Sequence, residues 1–318
     1  MDFHTLIKER RPHLKPNSVD AYATSLRIVF NLVKPPPSSN PLEFLYDHAT
    51  LLEALKIYKH TTQKNYLNAV IVALLGDETE PGQKALDEYG RVRDLFNQEY
   101  SDHVRAGKKT EKQKANWIEW EAYLEIVDQL GEKVKHLKSG PSKAEWSVEH
   151  KMNYQDYLLC LIYSKYPLRN DLNHTKVITK TVYNKLKPED MQEHNFIVRH
   201  SSNKYFLILN EYKTSKKWGQ KKIELSEEIL RPLRRWLRHN RSGFLLITPA
   251  GGPMTSNGIS KALTRIGRKM RGKPLGTSLI RHSYLSHKYK DVEEQKEKDS
   301  YVMGHSLQTQ SDYILKDE

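Results

Sequence analysis

Apolar residues in the first hundred positions recur at helical rather than alternating spacing. Val19, Tyr22, Leu26, Val29, Phe30 and Val33 share one face of a helix that starts at Pro16-Asn17-Ser18. Pro35-Pro36-Pro37-Ser38-Ser39 stops it. A second stripe runs through Leu42, Leu45, Leu51, Leu52, Leu55 and Tyr58. Thr61-Thr62 is placed to cap a third helix carrying Tyr66, Ala69, Val70, Ala73 and Leu74. A fourth follows Pro81, with Leu86, Tyr89, Val92, Phe96 and Tyr100 expected to face inward. No solenoid-like repeat is present, so the pattern predicts a small helical bundle.

Residues 105–116 are polar, basic and free of large apolar side chains until Trp117. They read either as a solvated loop or as an interdomain linker, the latter dividing the chain into domains at 1–104 and 117–318. Beyond them Trp117, Trp120, Leu124, Val127 and Leu130 keep helical register, which makes the tryptophans core residues rather than base-stacking groups. Tyr154 to Tyr163 forms another apolar helix, ended by Pro167. The period then changes from helical to alternating: Asn195–Val198, Lys204–Leu209 and Lys221–Leu225 read as strands, with a turn at Tyr212–Gly219. Helices resume at Glu227–Asn240, Ser256–Met270, Thr277–Tyr289 and Val292–Met303. The predicted class is α+β and mainly helical, an N-terminal bundle followed by a helical domain with a small antiparallel sheet.

Composition sharpens this picture. Lysine and arginine number 52 against 39 acidic residues in 318, a net charge of +13. Such a surplus favours a polyanionic partner, nucleic acid ahead of an anionic membrane. The 37% hydrophobic fraction supplies real cores, which excludes a disordered basic tail. Cys160 is the sole cysteine, so neither a disulfide framework nor a cysteine-based zinc site is available. The fourteen histidines include no His-x-x-x-His pair with an intervening Glu, and the acidic residues are scattered, unlike a metal-dependent nuclease. No apolar run approaches a membrane span and no signal-like core follows Met1. The expected compartment is a reducing interior: bacterial cytoplasm, nucleus or viral factory.

The rarer chemistry crowds into the last fifty residues. Gly276-Thr277-Ser278-Leu279-Ile280-Arg281-His282-Ser283 is followed by Met303-Gly304-His305-Ser306 and then by Asp312-Tyr313. Upstream stand Tyr166-Pro167-Leu168-Arg169-Asn170-Asp171-Leu172 and Asn210-Glu211-Tyr212-Lys213-Thr214-Ser215-Lys216. From about Trp117 to Tyr313 this order resembles the tyrosine recombinases, the phage-integrase family of DNA strand exchangers. The resemblance implies that Arg169 and Arg281 clamp a DNA phosphate, that Lys213 on a hairpin is the general acid, that His305 hydrogen-bonds the phosphate or the nucleophile, and that Tyr313 attacks. It also implies that the N-terminal bundle is a DNA clamp, that the partner is double-stranded DNA, that four copies assemble on it, and that no cofactor, metal or ATP is used. A mobile element or virus is the implied setting.

The chemistry asks for these residue types. A phenol with an ordinary pKa of about 10 is a weak nucleophile and must be aligned. Attack builds charge on the non-bridging oxygens, which paired guanidiniums meet with bidentate hydrogen bonds. The leaving 5′ oxygen needs a proton, which a lysine on a mobile turn can deliver, with Lys216 as a substitute for Lys213. Two departures stand out. Ser278 occupies the place three residues before the second arginine where the family most often has histidine, so the base is His282, His305 or water, or activation rests on the arginines; His282 reads first as a packing residue. Tyr313 lies eight residues after His305, one fewer than is usual, with only five residues beyond it. Type IB topoisomerases share the catalytic arrangement and remain an alternative, as does a non-catalytic DNA-binding protein on the same scaffold.

Overall fold

The computed structural model describes residues 2–36, 38, 40–105, 107–139, 146–304, 306, 307, 309 and 310. The chain divides into two compact units, Met1–Lys109 and Thr110–Glu318.

The first unit is helical throughout. It contains α1 (Phe3–Arg10), α2 (Pro16–Val33), a 3-10 turn at Glu43–Leu45, α3 (His48–Leu55), α4 (His60–Leu74) and α5 (Glu80–Arg105). Pro16 opens α2 where its missing N–H costs nothing, and Asp47 caps α3 by accepting from Thr50 N at 3.0 Å. Leu26, Val29, Leu51, Leu55, Leu67, Val70 and Tyr89 are buried together, and the Tyr89 hydroxyl donates to Leu45 O at 2.8 Å. Three details differ from the sequence pattern. Phe3, Leu6 and Ile7 form an extra buried helix, α1. Thr61-Thr62 does not cap α4, whose N-cap is Lys59 with no side-chain bond. Tyr100 is 53% exposed rather than inward, because α5 has 26 residues against 15 in α4 and outruns the helix it packs on.

Where a linker is expected, a Thr110–Gln113 capping box starts a short helix, α6 (Glu111–Asn116). The second unit continues with α7 (Trp120–Lys133), α8 (Lys135–Ser139) and α9 (Val148–Lys165). Buried on nearly every side, α9 is the axis of the core, with Leu158, Leu159 and Cys160 fully enclosed. Then come β1 (Lys176–Thr179), α10 (Lys180–Tyr183), α11 (Pro188–Gln192), β2 (Phe196–Arg199), β3 (Tyr205–Leu209), α12 (Ser215–Trp218) and β4 (Lys221–Glu224). Last are α13 (Glu227–His239), α14 (Ser256–Arg271) and α15 (Thr277–Met303).

The class is mainly helical α+β. The sheet order is β1-β2-β3-β4, antiparallel except that β1 joins β2 in parallel, so the sheet is mixed rather than purely antiparallel. Ile197, Leu207 and Leu209 face the helical core, while Phe196, Val198, Phe206 and Ile208 form a second cluster with Ile178, Tyr183 and Leu186. Where the sequence pattern predicts alternation, β2 and β3 are near-continuous apolar runs, because they are buried on both faces.

The expected helices at Thr277–Tyr289 and Val292–Met303 are one continuous helix of 27 residues, α15. Nothing in it breaks a helix: it lacks Pro and Gly, and Glu293 to Lys298 are strong helix formers. Its start is set by Gly267 of α14, where a Cβ would meet Lys273 O at 2.5 Å and Leu275 N at 2.6 Å. Tyr284 packs edge-on against Trp120 at 5.1 Å, and His287 pairs with Glu121 at 2.8 Å, holding the first half of α15 to α7.

Candidate active site

Pro167 cannot continue α9, so the chain leaves the helix there and turns through Leu168–Leu172. Three anchors fix this loop. The Tyr163 hydroxyl donates to Arg169 O at 2.6 Å. Asn170 Nδ2 donates to Ser256 Oγ at 3.1 Å and Ser260 Oγ at 2.9 Å, at the start of α14. Leu172 is fully buried. Arg169 is left exposed at the crest of the loop.

Arg281 reaches the same loop from the second turn of α15, donating from Nη1 to Leu168 O at 3.1 Å. Burial and the nearby positive charge of Arg169 hold the Arg281 guanidinium below its ordinary pKa, with Asp171 opposing them. Burial raises the Asp171 carboxyl, and Arg169, Arg281 and Lys221 pull it back down. Burial pushes the Tyr163 hydroxyl far up, which keeps it a neutral donor to the loop. Two guanidiniums thus stand near one another with no ion-pair partner among the described residues. Repulsion between them is relieved by an anion placed between, the condition for a preorganised phosphate clamp.

The Lys213 turn is tied to this loop by one side chain that the sequence reading does not identify. Asn195, 4% exposed, donates from Nδ2 to Asp171 O and to Glu211 O, both at 2.8 Å. Its Oδ1 accepts from Asn210 N at 2.8 Å and Glu211 N at 2.9 Å. The amide therefore uses both donors and both acceptor positions to join the Arg169 loop to the stem of the Lys213 turn. Only its place at the mouth of β2 is visible in sequence; its partners are backbone groups that no residue pattern encodes. Asn195→Ala is expected to leave four backbone groups without these partners and to lower stability by about 3 kcal/mol, read as a shifted urea midpoint with unchanged slope. Asn195→Asp, which keeps the acceptors and loses the donors, should fall between the two.

Lys213 itself is exposed on the turn before α12. The lysine whose charge acts on Asp171 is Lys221, at the start of β4, with its ammonium 4.6 Å from the centre of the Tyr212 ring. Lys216 lies in α12 and is exposed. Ser278 is exposed in the first turn of α15, one turn before Arg281. His282 is exposed rather than packed, because the buried face of this helix runs through Ile280 and Ser283 and position 282 turns away from it. His305 and Tyr313 lie outside the described residues. The last described residue, Gln310, accepts at Oε1 from Ser300 Oγ at 2.9 Å. Ser300 is nineteen residues along α15 from Arg281, about 28 Å of helix axis. Among the described residues no three His, Cys, Asp or Glu side chains converge as metal ligands would.

No protein-family model matches this chain, and no curated protein does. Two solved structures align along most of its length. A crystal structure of XerA recombinase is 12% identical, covering 100% of this chain and 95% of that one, with a TM-score of 0.33. A XerH site-specific recombinase bound to its difH substrate, a pre-cleavage complex, is 14% identical, covering 96% and 90%, with a TM-score of 0.38. At such loose superposition the functional reading rests on the residues around Arg169 and Arg281 themselves.

Proposed function

We propose that the protein is a DNA strand transferase of the tyrosine-recombinase kind, cutting and rejoining duplex DNA through a 3′-phosphotyrosyl intermediate without metal or ATP. The observation that carries this reading is the meeting of Arg169 and Arg281 at one loop, where neither makes a salt bridge among the described residues although the Asp171 carboxyl acts on both, and the link from that loop through Asn195 to a lysine-bearing turn. In the proposed step the phenolic oxygen of Tyr313 attacks the phosphorus and the bond to the 5′ oxygen breaks. The two guanidiniums bind the non-bridging oxygens, and a lysine of the turn, Lys213 in the sequence reading, protonates the leaving oxygen. His305 hydrogen-bonds the phosphate or the tyrosine. The ester keeps the bond energy for rejoining. Ser278 and the exposed His282 leave activation of the phenol to the arginines, to His305 or to water.

The first unit is proposed to grip the duplex and the second to cleave it, with four copies assembling on two duplexes in site-specific exchange for a mobile element or virus. Incubation with a duplex nicked beside the cleavage site tests this, because the released fragment traps the ester. A protein–DNA adduct that survives denaturation and forms equally in EDTA supports the reading; EDTA-sensitive cutting with no adduct opposes it.

The anchoring of Gln310 beside Ser300 adds a condition. For the segment after Gln310 to reach Arg281 of its own chain, the cleaving form is proposed to break α15 near Asp291, just beyond the half that Tyr284 and His287 hold to α7. A proline inside a helix costs about 3 kcal/mol and favours the broken form. Asp291→Pro is therefore expected to form adduct at least as fast as the parent in a single-turnover assay. A straight working form of α15 predicts a loss instead.

A further inference from the structure

A cavity of about 820 Å3 opens at the opposite end of the sheet from Arg169 and Arg281. The strand register places it. Asn195, beside the arginine loop, precedes β2, and Arg199 ends that strand about 13 Å further on, paired with Thr179 of β1 and Tyr205 of β3. Thr179, Arg199 and Tyr205 line the sheet side of the cavity, and Arg234, Arg238 and Arg241 line the other. The last three recur at i, i+4 and i+7, the spacing of one helix face along α13 and its exit. Arg234 is structural: Nη1 donates to Ser202 O at 2.8 Å and to Asn203 Oδ1 at 2.6 Å, and Nη2 meets Glu227 at 3.3 Å. Arg199, Arg238 and Arg241 are exposed and have no ion-pair partner among the described residues.

Four guanidiniums line this one cavity and no carboxylate does. The favourable field at a helix C-terminus accounts for Arg238 in the last turn of α13. It does not account for Arg199, which comes from a strand to the same space. A concave site of one sign concentrates counter-charge, and free guanidinium forks match phosphate oxygens. Val177, Ile178, Leu237 and Phe244 give the wall an apolar part that suits a planar body attached to the anion, and Ser201, Ser202 and Asn240 add polar groups beside it.

We propose that this cavity binds a nucleoside phosphate, with the phosphate chain on Arg199, Arg238 and Arg241 and the base against Leu237 and Phe244. The site is independent of the strand-transfer reading and is not asked to energise it. A concave pocket takes a discrete ligand end-on, whereas a duplex backbone needs an open track; DNA is therefore the competing outcome.

The test is fluorescence anisotropy of ribose-labelled ATP with the full chain, competed by unlabelled ATP, inorganic triphosphate and a short DNA duplex. Saturable binding is expected, weakened at least about tenfold in Arg238→Ala/Arg241→Ala and in Arg199→Ala, and unchanged in Arg281→Ala. Displacement by inorganic triphosphate as readily as by ATP would overturn the nucleoside assignment. Absence of saturable binding, or an equal loss in Arg281→Ala, would overturn the site. Loss of duplex affinity in the cavity variants without nucleotide binding would assign these arginines to DNA and also overturn it.

Discussion

Tyr313→Phe is expected to abolish covalent capture of DNA while leaving duplex affinity within about twofold of the parent. The substitution removes one oxygen, the atom proposed to bond phosphorus, and no charge. Affinity is expected to come from elsewhere: a net charge of +13 favours many phosphate contacts on a duplex, each releasing counterions. The two readouts therefore separate. Trapping on a nicked duplex followed by denaturing electrophoresis reads the bond, and anisotropy at fixed salt reads the binding. A persisting adduct in Tyr313→Phe would assign the nucleophile elsewhere.

The second large effect concerns the guanidinium pair. Arg281→Ala, and separately Arg169→Ala, are expected to slow single-turnover cleavage by about 10²–10³, the range for removing one preorganised oxyanion donor. Arg281 is fixed to Leu168 O at 3.1 Å, and burial together with the nearby charge of Arg169 depresses its pKa, so the pair is held against its own repulsion before substrate arrives. The developing charge on phosphate relieves that repulsion most in the transition state, which places the loss in rate rather than in binding. Arg281→Lys should recover little, because an ammonium cannot supply the bidentate fork. Because the two act on one phosphate, the double variant should cost less than the product of the single losses. A product equal to the two single effects would mean they act at separate places.

What could be read from the chain beforehand follows the physics of each element. Helices α2, α4 and α9 were legible because buried apolar residues at 3.6 spacing have few other interpretations. Strands β2 and β3 are legible from the change of period, although burial on both faces makes them apolar runs rather than the alternation expected. Strand β1 was not, since Lys176-Val177-Ile178-Thr179 is four residues long and depends on a parallel partner twenty positions away. The continuity of α15 is not legible because the residues that pack on the core end at Tyr284, while Leu285 and Tyr289 are exposed, and a stripe that leaves the core looks like a helix end. Motif and order single out Arg169 and Arg281 as candidates, and Arg281 donates to Leu168 O in the loop that carries Arg169. Asn195 was invisible: its value lies in four bonds to backbone atoms of distant segments, which leave no trace in residue type. Lys221 was hidden among its neighbours, as Lys213 remains exposed among Lys216 and Lys217.

The central claim, a transient ester between a phenol and a DNA phosphate held by two guanidiniums, is tested most directly by mass spectrometry of the peptide linked to DNA after trapping on a nicked duplex in EDTA. The account predicts a single linked peptide, with the 3′ phosphate esterified to Tyr313. Linkage at another residue, linkage through a 5′ phosphate, or cleavage that leaves no linked peptide would contradict it.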